Sequence, residues 1–291
     1  MGLAQRQATA WALTGALLVA AALLYTDIRQ RPDGAFHVVF LDVGHHNAIL
    51  LQSPGGGTVL IDGGRFPTRL LDGLGDYLPA RQRHLDLLIL TQTEGDDLAA
   101  LPELAQRYRI GAVITPPNES LAPDYLALLD QLQSANVPVQ AVYAGYQITL
   151  SDGVVLEALH PASLHVASNS PGEDAPSPNL VWRVQYDQAV FLLMGESNAP
   201  AEAILLQHPH QVQATVLQVA QHGSGEANSA RFLEAVAPQA AVLQVDAANT
   251  LGHPAPGVVG RLQATRLFRT DQHGTIRFST DGERLWITTT R

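Results

Sequence analysis

The sequence contains no cysteine and few basic residues, and each absence excludes a class of function. Without cysteine the chain forms no disulfide and no thiolate metal site, although this does not identify its compartment. Its 17 basic residues form no run and are outnumbered by 27 acidic ones, which gives a formal net charge of -10. Such a charge repels polyanions, so the composition disfavours strong nucleic-acid binding. The sequence also has no Gly-x-Ser-x-Gly elbow and no Gly-Lys-Ser phosphate loop.

Long runs that are both uncharged and strongly apolar are rare as well, and the exception lies near the amino terminus. Twenty residues without charge separate Arg6 from Asp27, about the length of one helix across a hydrocarbon core. This favours a single membrane anchor, with a cleaved signal peptide and a buried helix as alternatives. Arg6 precedes the run and Arg29 and Arg31 follow it, so charge does not fix its orientation. We therefore predict an anchor and linker at residues 1–34 and a domain at residues 35–291.

The rest of the chain alternates between strand and helix patterns. At 46% hydrophobic and 15% charged residues the composition is that of a globular protein. Strands are predicted at 36–43, 48–52, 58–62, 85–90, 112–115, 181–186, 189–194, 216–219 and 241–245, and helices at 68–77, 98–108, 123–134, 199–206, 227–236 and 256–262. The region 137–160 is predicted to consist of strands, and a hairpin is predicted to close the chain around Asp281-Gly282. Hairpins precede strand–helix units in each half, which predicts two sheets packed face to face with helices outside. The predicted fold class is α/β (α+β), a four-layer αββα sandwich.

The stretch at residues 85–101, LDLLILTQTEGDDLAAL, has the layout of a metal-binding strand, loop and helix. An apolar run ends abruptly at Thr91, a polar loop follows, and a helical pattern begins at Leu98. Loops at strand ends commonly carry chemistry. The loop nevertheless lacks the histidine that such a site would use.

Six segments, taken in order, resemble one known family. They are FLDVGHHNAILLQSPGGGTVLIDGG, LTQTEGDDLAAL, VFLLMGE, VAQHGS, LGHP and FRTDQHGTIRF. Together they are similar to the motifs of the metallo-β-lactamase fold superfamily, and in particular to the soluble domain of the ComEC competence family, whose members take up DNA across bacterial membranes. The resemblance implies a sandwich of metallo-β-lactamase type and places the large domain outside the cytoplasm.

The resemblance also implies which residues stand at the family's first metal motif. In this superfamily histidines and aspartates hold one or two zinc or manganese ions, which polarise the substrate and supply hydroxide. By position, Gln92, Glu94 and Asp97 stand where the family has histidine. Asp96 keeps the family's aspartate.

The later motifs are retained in part. Glu196 stands for the bridging aspartate, and Gln221 replaces the first histidine of a His-His pair. His222 and His253 match the family. On the expected substrate rim, in place of Gln-Gly-Asp, the chain has His45, His46 and Asn47.

Two interpretations follow from these replacements. In the first the hydrolytic dinuclear site is lost, no cofactor is bound, and the domain acts as a binding or structural partner. In the second the site is altered and holds manganese, calcium, magnesium or zinc. Its metal-ligand candidates would be Glu94, Asp96, Asp97, Glu196, His222 and His253, and its catalytic acid or base Glu94 or His253. That protein would be a phosphodiesterase or nuclease, with ligands within about 2.0 to 2.6 Å of a common ion.

The same reasoning predicts location and partners. The amino-terminal helix would make the protein single-pass in a bacterial cell membrane, with the large domain outside the cytoplasm. The resemblance implies a partner in an envelope or DNA-uptake complex. The acidic balance predicts that binding of nucleic acid is weak or absent.

Overall fold

A computed structural model describes residues 32–79, 81–162 and 178–291, which form two mixed β-sheets and the helices that cover them. The strands are β1 (Phe36–Phe40), β2 (Ile49–Gln52), β3 (Thr58–Ile61), β4 (His84–Ile89), β5 (Arg109–Thr115), β6 (Val139–Ala141), β7 (Gln147–Thr149), β8 (Val155–His160), β9 (Val181–Tyr186), β10 (Ala189–Leu193), β11 (Val216–Gln218), β12 (Ala240–Leu243), β13 (Arg266–Arg269), β14 (Ile276–Thr280) and β15 (Leu285–Thr289). The α-helices are α1 (Pro67–Tyr77), α2 (Leu101–Arg107), α3 (Pro123–Ser134), α4 (Ala199–Leu205), α5 (Pro209–Val212), α6 (Ala230–Val236), α7 (Pro256–Arg261) and α8 (Thr270–His273).

Each sheet has an antiparallel part and a parallel part. The first sheet has the order β15-β14-β1-β2-β3-β4-β5-β6 and the second the order β13-β12-β11-β10-β9-β8-β7. Pairing is antiparallel from β15 to β3 and parallel from β3 to β6. In the second sheet it is parallel from β13 to β10 and antiparallel from β10 to β7. The carboxyl ends of the parallel strands therefore meet at one edge of the sandwich, where ligand sites of such sheets usually lie.

Strand alternation produces the layers. In β1, Phe36, Val38 and Phe40 pack between the two sheets, whereas Val39 packs under the helices of the first sheet. This follows from the two-residue repeat of a strand, which turns successive side chains to opposite faces. Trp182 is fully buried in the layer between the sheets. Apolar residues of α1, α2 and α3 cover the first sheet, and those of α4, α5, α6 and α7 cover the second.

The element predictions agree with the structure except at a few places. The helix predicted at 98–108 is divided into a 3-10 turn, Asp96–Leu98, and α2, because Pro102 has no backbone N–H and fits only a first turn. The helix predicted from residue 227 begins at Ala230, where the Ser229 side chain accepts a hydrogen bond from the backbone N–H of Phe232. Strand β13 and the short helices α5 and α8 were not predicted.

The described residues contain no helix long and apolar enough to span a membrane. The membrane anchor predicted between Arg6 and Asp27 lies outside the described ranges.

Candidate functional site

A cleft of about 590 Å³ lies at the edge where the strands end. It is formed by the loops that follow β1, β4, β10, β11 and β12. Segments far apart in sequence thus bring most of the predicted site residues together. The predicted residues that line this cleft are His45, His46, Gln92, Asp96, Asp97, Glu196, Gln221, His222 and His253.

Asp97 lies at the floor of the cleft with both carboxylate oxygens engaged. The backbone N–H of Asn47 donates to Oδ1 over 2.7 Å, and Oδ2 accepts from Asn47 Nδ2 and Gln92 Nε2, each over 3.0 Å. His46 Nδ1 lies 3.5 Å from Oδ1. Burial by itself raises the pKa of Asp97, but the hydrogen bonds and the positive charge of His222 hold that pKa below its ordinary value. Asp97 is therefore an ionised carboxylate fully satisfied by the protein.

Glu196 is held through one of its two carboxylate oxygens. Its Oε1 accepts from Asn47 Nδ2 over 2.6 Å and from His222 Nε2 over 3.1 Å. The other ring nitrogen of His222, Nδ1, donates to the carbonyl oxygen of Gln244 over 2.7 Å. A carbonyl and a carboxylate both accept hydrogen bonds only, so each ring nitrogen of His222 carries a proton. His222 is thus an imidazolium that has no lone pair for a metal.

The charge of His222 agrees with this hydrogen-bond pattern. Burial lowers the pKa of His222, but the negative charge of Glu196, its hydrogen bond and the charge of Asp97 together raise that pKa to about 9. Gln221 and His222 have positive φ values of 48° and 52°, in the left-handed region that non-glycine residues seldom adopt. This turn places the ring between Glu196 and Gln244.

Beneath the cleft, a chain of buried amides links the two sheets. Gln218 Nε2 donates to Asn47 Oδ1 over 2.9 Å and to Gln244 Oε1 over 3.1 Å, and Gln218 Oε1 accepts from the backbone N–H of Gly195. Gln244 Nε2 in turn donates to the carbonyl oxygens of Leu41 and Ala48. This network fixes the loop after β1 against the second sheet.

Two of the predicted metal-ligand candidates, Asp96 and Glu94, bond residues outside the cleft floor. Asp96 lies on the rim, half-exposed, and its Oδ2 accepts from Arg65 Nη1 over 2.9 Å. Glu94 lies outside the lining of the cleft, and its Oε1 accepts from Ser120 Oγ over 3.4 Å. Neither carboxylate contacts Asp97 or Glu196 through a hydrogen bond.

Two histidines of the cleft have unpartnered ring nitrogens. His45 packs against His222 with ring centroids 4.2 Å apart and against His253 with centroids 5.4 Å apart. Within the described part of the chain, His45 Nδ1, His45 Nε2 and His253 Nδ1 are buried atoms without a hydrogen-bond partner. Burial and the neighbouring charge of His222 lower the pKa of His45 to about 4, and the same causes lower the pKa of His253. Both rings are therefore neutral at pH 7.

Asp62 joins the site although it was not among the predicted site residues. It is buried, and it accepts from the backbone N–H of Thr91 over 2.8 Å and from Thr91 Oγ1 over 2.6 Å. Burial and the charges of Asp97 and Glu196 raise the pKa of Asp62 well above its ordinary value. Its position directly after the buried strand β3 was the available signal.

Comparison with known proteins agrees with this architecture. The chain is 24% identical over 200 residues to ComE operon protein 3 of Bacillus subtilis (strain 168), covering 67% of this chain and 25% of that protein. It is 32% identical over 130 residues to competence protein ComA of Neisseria gonorrhoeae, covering 44% of this chain and 18% of that protein. The chain thus spans a quarter or less of these relatives. No family model matches it.

Solved structures share its fold. The metallo-β-lactamase fold protein YhfI from Bacillus subtilis superposes with a TM-score of 0.56 at 13% identity, over 84% of this chain and 100% of that one. The chain is a metallo-β-lactamase fold protein similar to ComEC-type competence proteins. CmlA, a diiron β-hydroxylase from Streptomyces venezuelae, also shares the fold, with a TM-score of 0.51 at 16% identity over 84% of this chain and 54% of that one.

Proteins of this fold include metal-dependent ones such as the diiron CmlA, so the side chains of the cleft bear on whether it can hold a metal centre. Among the described residues, no group of three or more His, Asp or Glu side chains is arranged to hold a metal ion. Both oxygens of Asp97 accept hydrogen bonds, from Asn47 and Gln92, and His222 donates through both nitrogens. As they are arranged, these residues do not fit a dinuclear centre.

Proposed function

We propose that this chain is a non-hydrolytic ComEC-like domain that acts as a binding or structural partner in a bacterial DNA-uptake or envelope complex. The observation that carries the proposal is that donors from the protein itself occupy both oxygens of Asp97 and the Oε1 oxygen of Glu196. A hydrolase of this fold needs carboxylate and imidazole lone pairs directed at a common ion. The similarity to two competence proteins supports the biological setting.

The proposal includes an arrangement at the membrane. Residues 1–34 would form a single-pass anchor and linker, and residues 35–291 the metallo-β-lactamase-like domain. The domain would lie outside the cytoplasm of a bacterial cell. The 20-residue run without charge between Arg6 and Asp27 supports this arrangement.

The cleft is the proposed binding surface. Leu251, whose residue surface is 66% exposed, lines the same cleft as His45 and His253 and offers a partner an apolar contact. The lining of the cleft includes the carboxylates of Asp96, Asp97, Glu196 and Glu226. This excess of negative charge repels phosphates, so the cleft suits a neutral or cationic group of a partner better than a nucleic-acid backbone.

Metal content tests the proposal directly. We expect the full chain, purified without chelator and then offered manganese, zinc, calcium or magnesium, to retain fewer than about 0.1 ions per chain by mass spectrometry. Retention of one equivalent that is abolished by Asp97→Ala would contradict it. That result would instead support the second interpretation, a metal-dependent phosphodiesterase or nuclease with carboxylate-rich ligands.

DNA binding and cleavage provide a second test. We expect fluorescence anisotropy to show weak binding of double-stranded DNA that disappears between about 50 and about 200 mM salt, because the acidic surface offers few phosphate contacts. We also expect no cleavage of DNA or of a model phosphodiester with or without manganese. Cleavage that requires manganese, or tight binding at the higher salt concentration, would exclude a purely protein-directed role for the domain.

A further inference from the structure

Asn47 occupies the space between the two main carboxylates of the cleft. Its side chain is buried, with 3% of the residue exposed. Nδ2 donates one hydrogen bond to Asp97 Oδ2 over 3.0 Å and one to Glu196 Oε1 over 2.6 Å. Oδ1 accepts from Gln218 Nε2 over 2.9 Å. The amide therefore uses both of its protons on carboxylates and its oxygen on a buried donor.

The hydrogen-bond pattern fixes the orientation of this amide. Reversing it would place Oδ1 against Asp97 and Glu196 and the amino group against the donor of Gln218. Each of these contacts would then pair two acceptors or two donors, and no hydrogen bond could form. The donor face of Asn47 therefore points at the carboxylates.

Two ionised carboxylates this close to each other need nearby positive charge or hydrogen-bond donors to offset their repulsion. Oxygens of Asp97 and Glu196 that bond one nitrogen lie within about 6 Å of each other, a range in which like charges oppose each other's ionisation. In a metalloenzyme a cation supplies the compensation. In this cleft the two N–H groups of Asn47 point at Asp97 Oδ2 and Glu196 Oε1, and His222 Nε2 lies 3.1 Å from the same Glu196 oxygen.

We infer that the Asn47 carboxamide takes the place of a divalent cation between Asp97 and Glu196, so that Asn47→Asp alone makes the folded cleft depend on such a cation. This inference rests on the proposed function. In the family that the sequence resembles, an aspartate stands at this position. An aspartate here would replace a two-proton donor with a third acceptor, and three carboxylates form a ligand set for hard ions such as manganese, magnesium or calcium.

Thermal unfolding of the full chain with each ion tests the inference. In chelator, Asn47→Asp is expected to unfold about 6 °C or more below the parent chain, because an uncompensated charge is buried. Manganese, magnesium or calcium, each added alone, should restore at least about half of that loss, and the parent midpoint should move by less than about 1 °C. If no ion raises the midpoint of folded Asn47→Asp above its value in chelator, the inference is wrong.

A second variant decides the question if Asn47→Asp fails to fold. Asn47→Ala removes both donors and opens space between the carboxylates without adding charge. We expect it to bind manganese measurably in isothermal titration calorimetry, under conditions in which the parent chain gives no heat of binding. No binding by folded Asn47→Ala would overturn the inference.

Asn228→Ala is the matched control. Asn228 is also fully buried, and its side chain accepts from the backbone N–H of Ala220 and donates to the carbonyl oxygen of the same residue, each over 3.0 Å. We expect its loss to lower the midpoint without any response to ions, and an equal response would show that the ion effect is unrelated to Asn47. Stoichiometric metal in the parent chain would refute the proposed function, whereas a metal-free parent with unresponsive Asn47 variants would refute this inference alone.

Discussion

Replacing Glu202 with alanine is expected to lower the free energy of unfolding by about 3–5 kcal/mol. Glu202 lies in α4 with 1% of its surface exposed, and its carboxylate accepts from the backbone N–H groups of Asn228 and Ser229. Alanine leaves both donors without this partner and leaves a cavity where the carboxylate was. Urea unfolding of parent and variant, with a common m-value, measures the difference.

Glu103→Ala is the control for the loss of a helical glutamate. Glu103 lies in α2 and pairs with Arg107 over 2.6 Å on an exposed surface. Its replacement is expected to cost no more than about 0.5 kcal/mol, because exposed pairs four residues apart contribute little. Similar losses for the two variants would show that Glu202 does not fix the segment that leads from His222 to α6. That segment supplies Ser224 and Glu226 to the wall of the cleft.

Local sequence patterns predicted most elements because each carries its own signal. Asp281-Gly282 predicted the turn of the closing hairpin, which the structure places between β14 and β15. The pattern could not show that β14 pairs with β1, since that contact joins residues about 240 positions apart. Strand β13 was missed because its sequence, RLFR, has a charge at each end and no buried residue.

The sequence predicted which residues line the cleft better than it predicted the hydrogen bonds between them. The order of the motifs predicted that Asp97, Glu196 and His222 share one cleft. The structure places them together because each follows a strand that ends at the same edge. The role of Asn47 could not be predicted, because it depends on contacts 50 and 149 positions away whose distances no local pattern encodes. The sequence placed Asn47 on a substrate rim, whereas the structure buries it between carboxylates.

The stability difference between the parent chain and His222→Gln is expected to fall as the pH rises. A pKa of about 9 in the folded chain, against an ordinary value of 6.5, corresponds to about 3 kcal/mol. Because the folded pKa is raised, this contribution is fully present below pH 6.5 and is lost as the pH rises through about 9. Urea unfolding at about pH 6 and about pH 10 should therefore show a large difference at the lower pH and a small one at the higher.

His160→Gln provides a control, because the stability contribution of His160 changes with pH in the opposite direction to that of His222. His160 is buried in β8, where its Nδ1 bonds the carbonyl oxygen of Asn179, and burial lowers its pKa. A lowered pKa means that the unfolded chain binds more protons near pH 6, so this histidine destabilises the fold as the pH falls. A difference for His222→Gln that stays constant or grows from about pH 6 to about pH 10 would contradict the imidazolium assignment. The cleft would then lack the fixed positive charge that, together with Asn47, compensates Glu196 and Asp97.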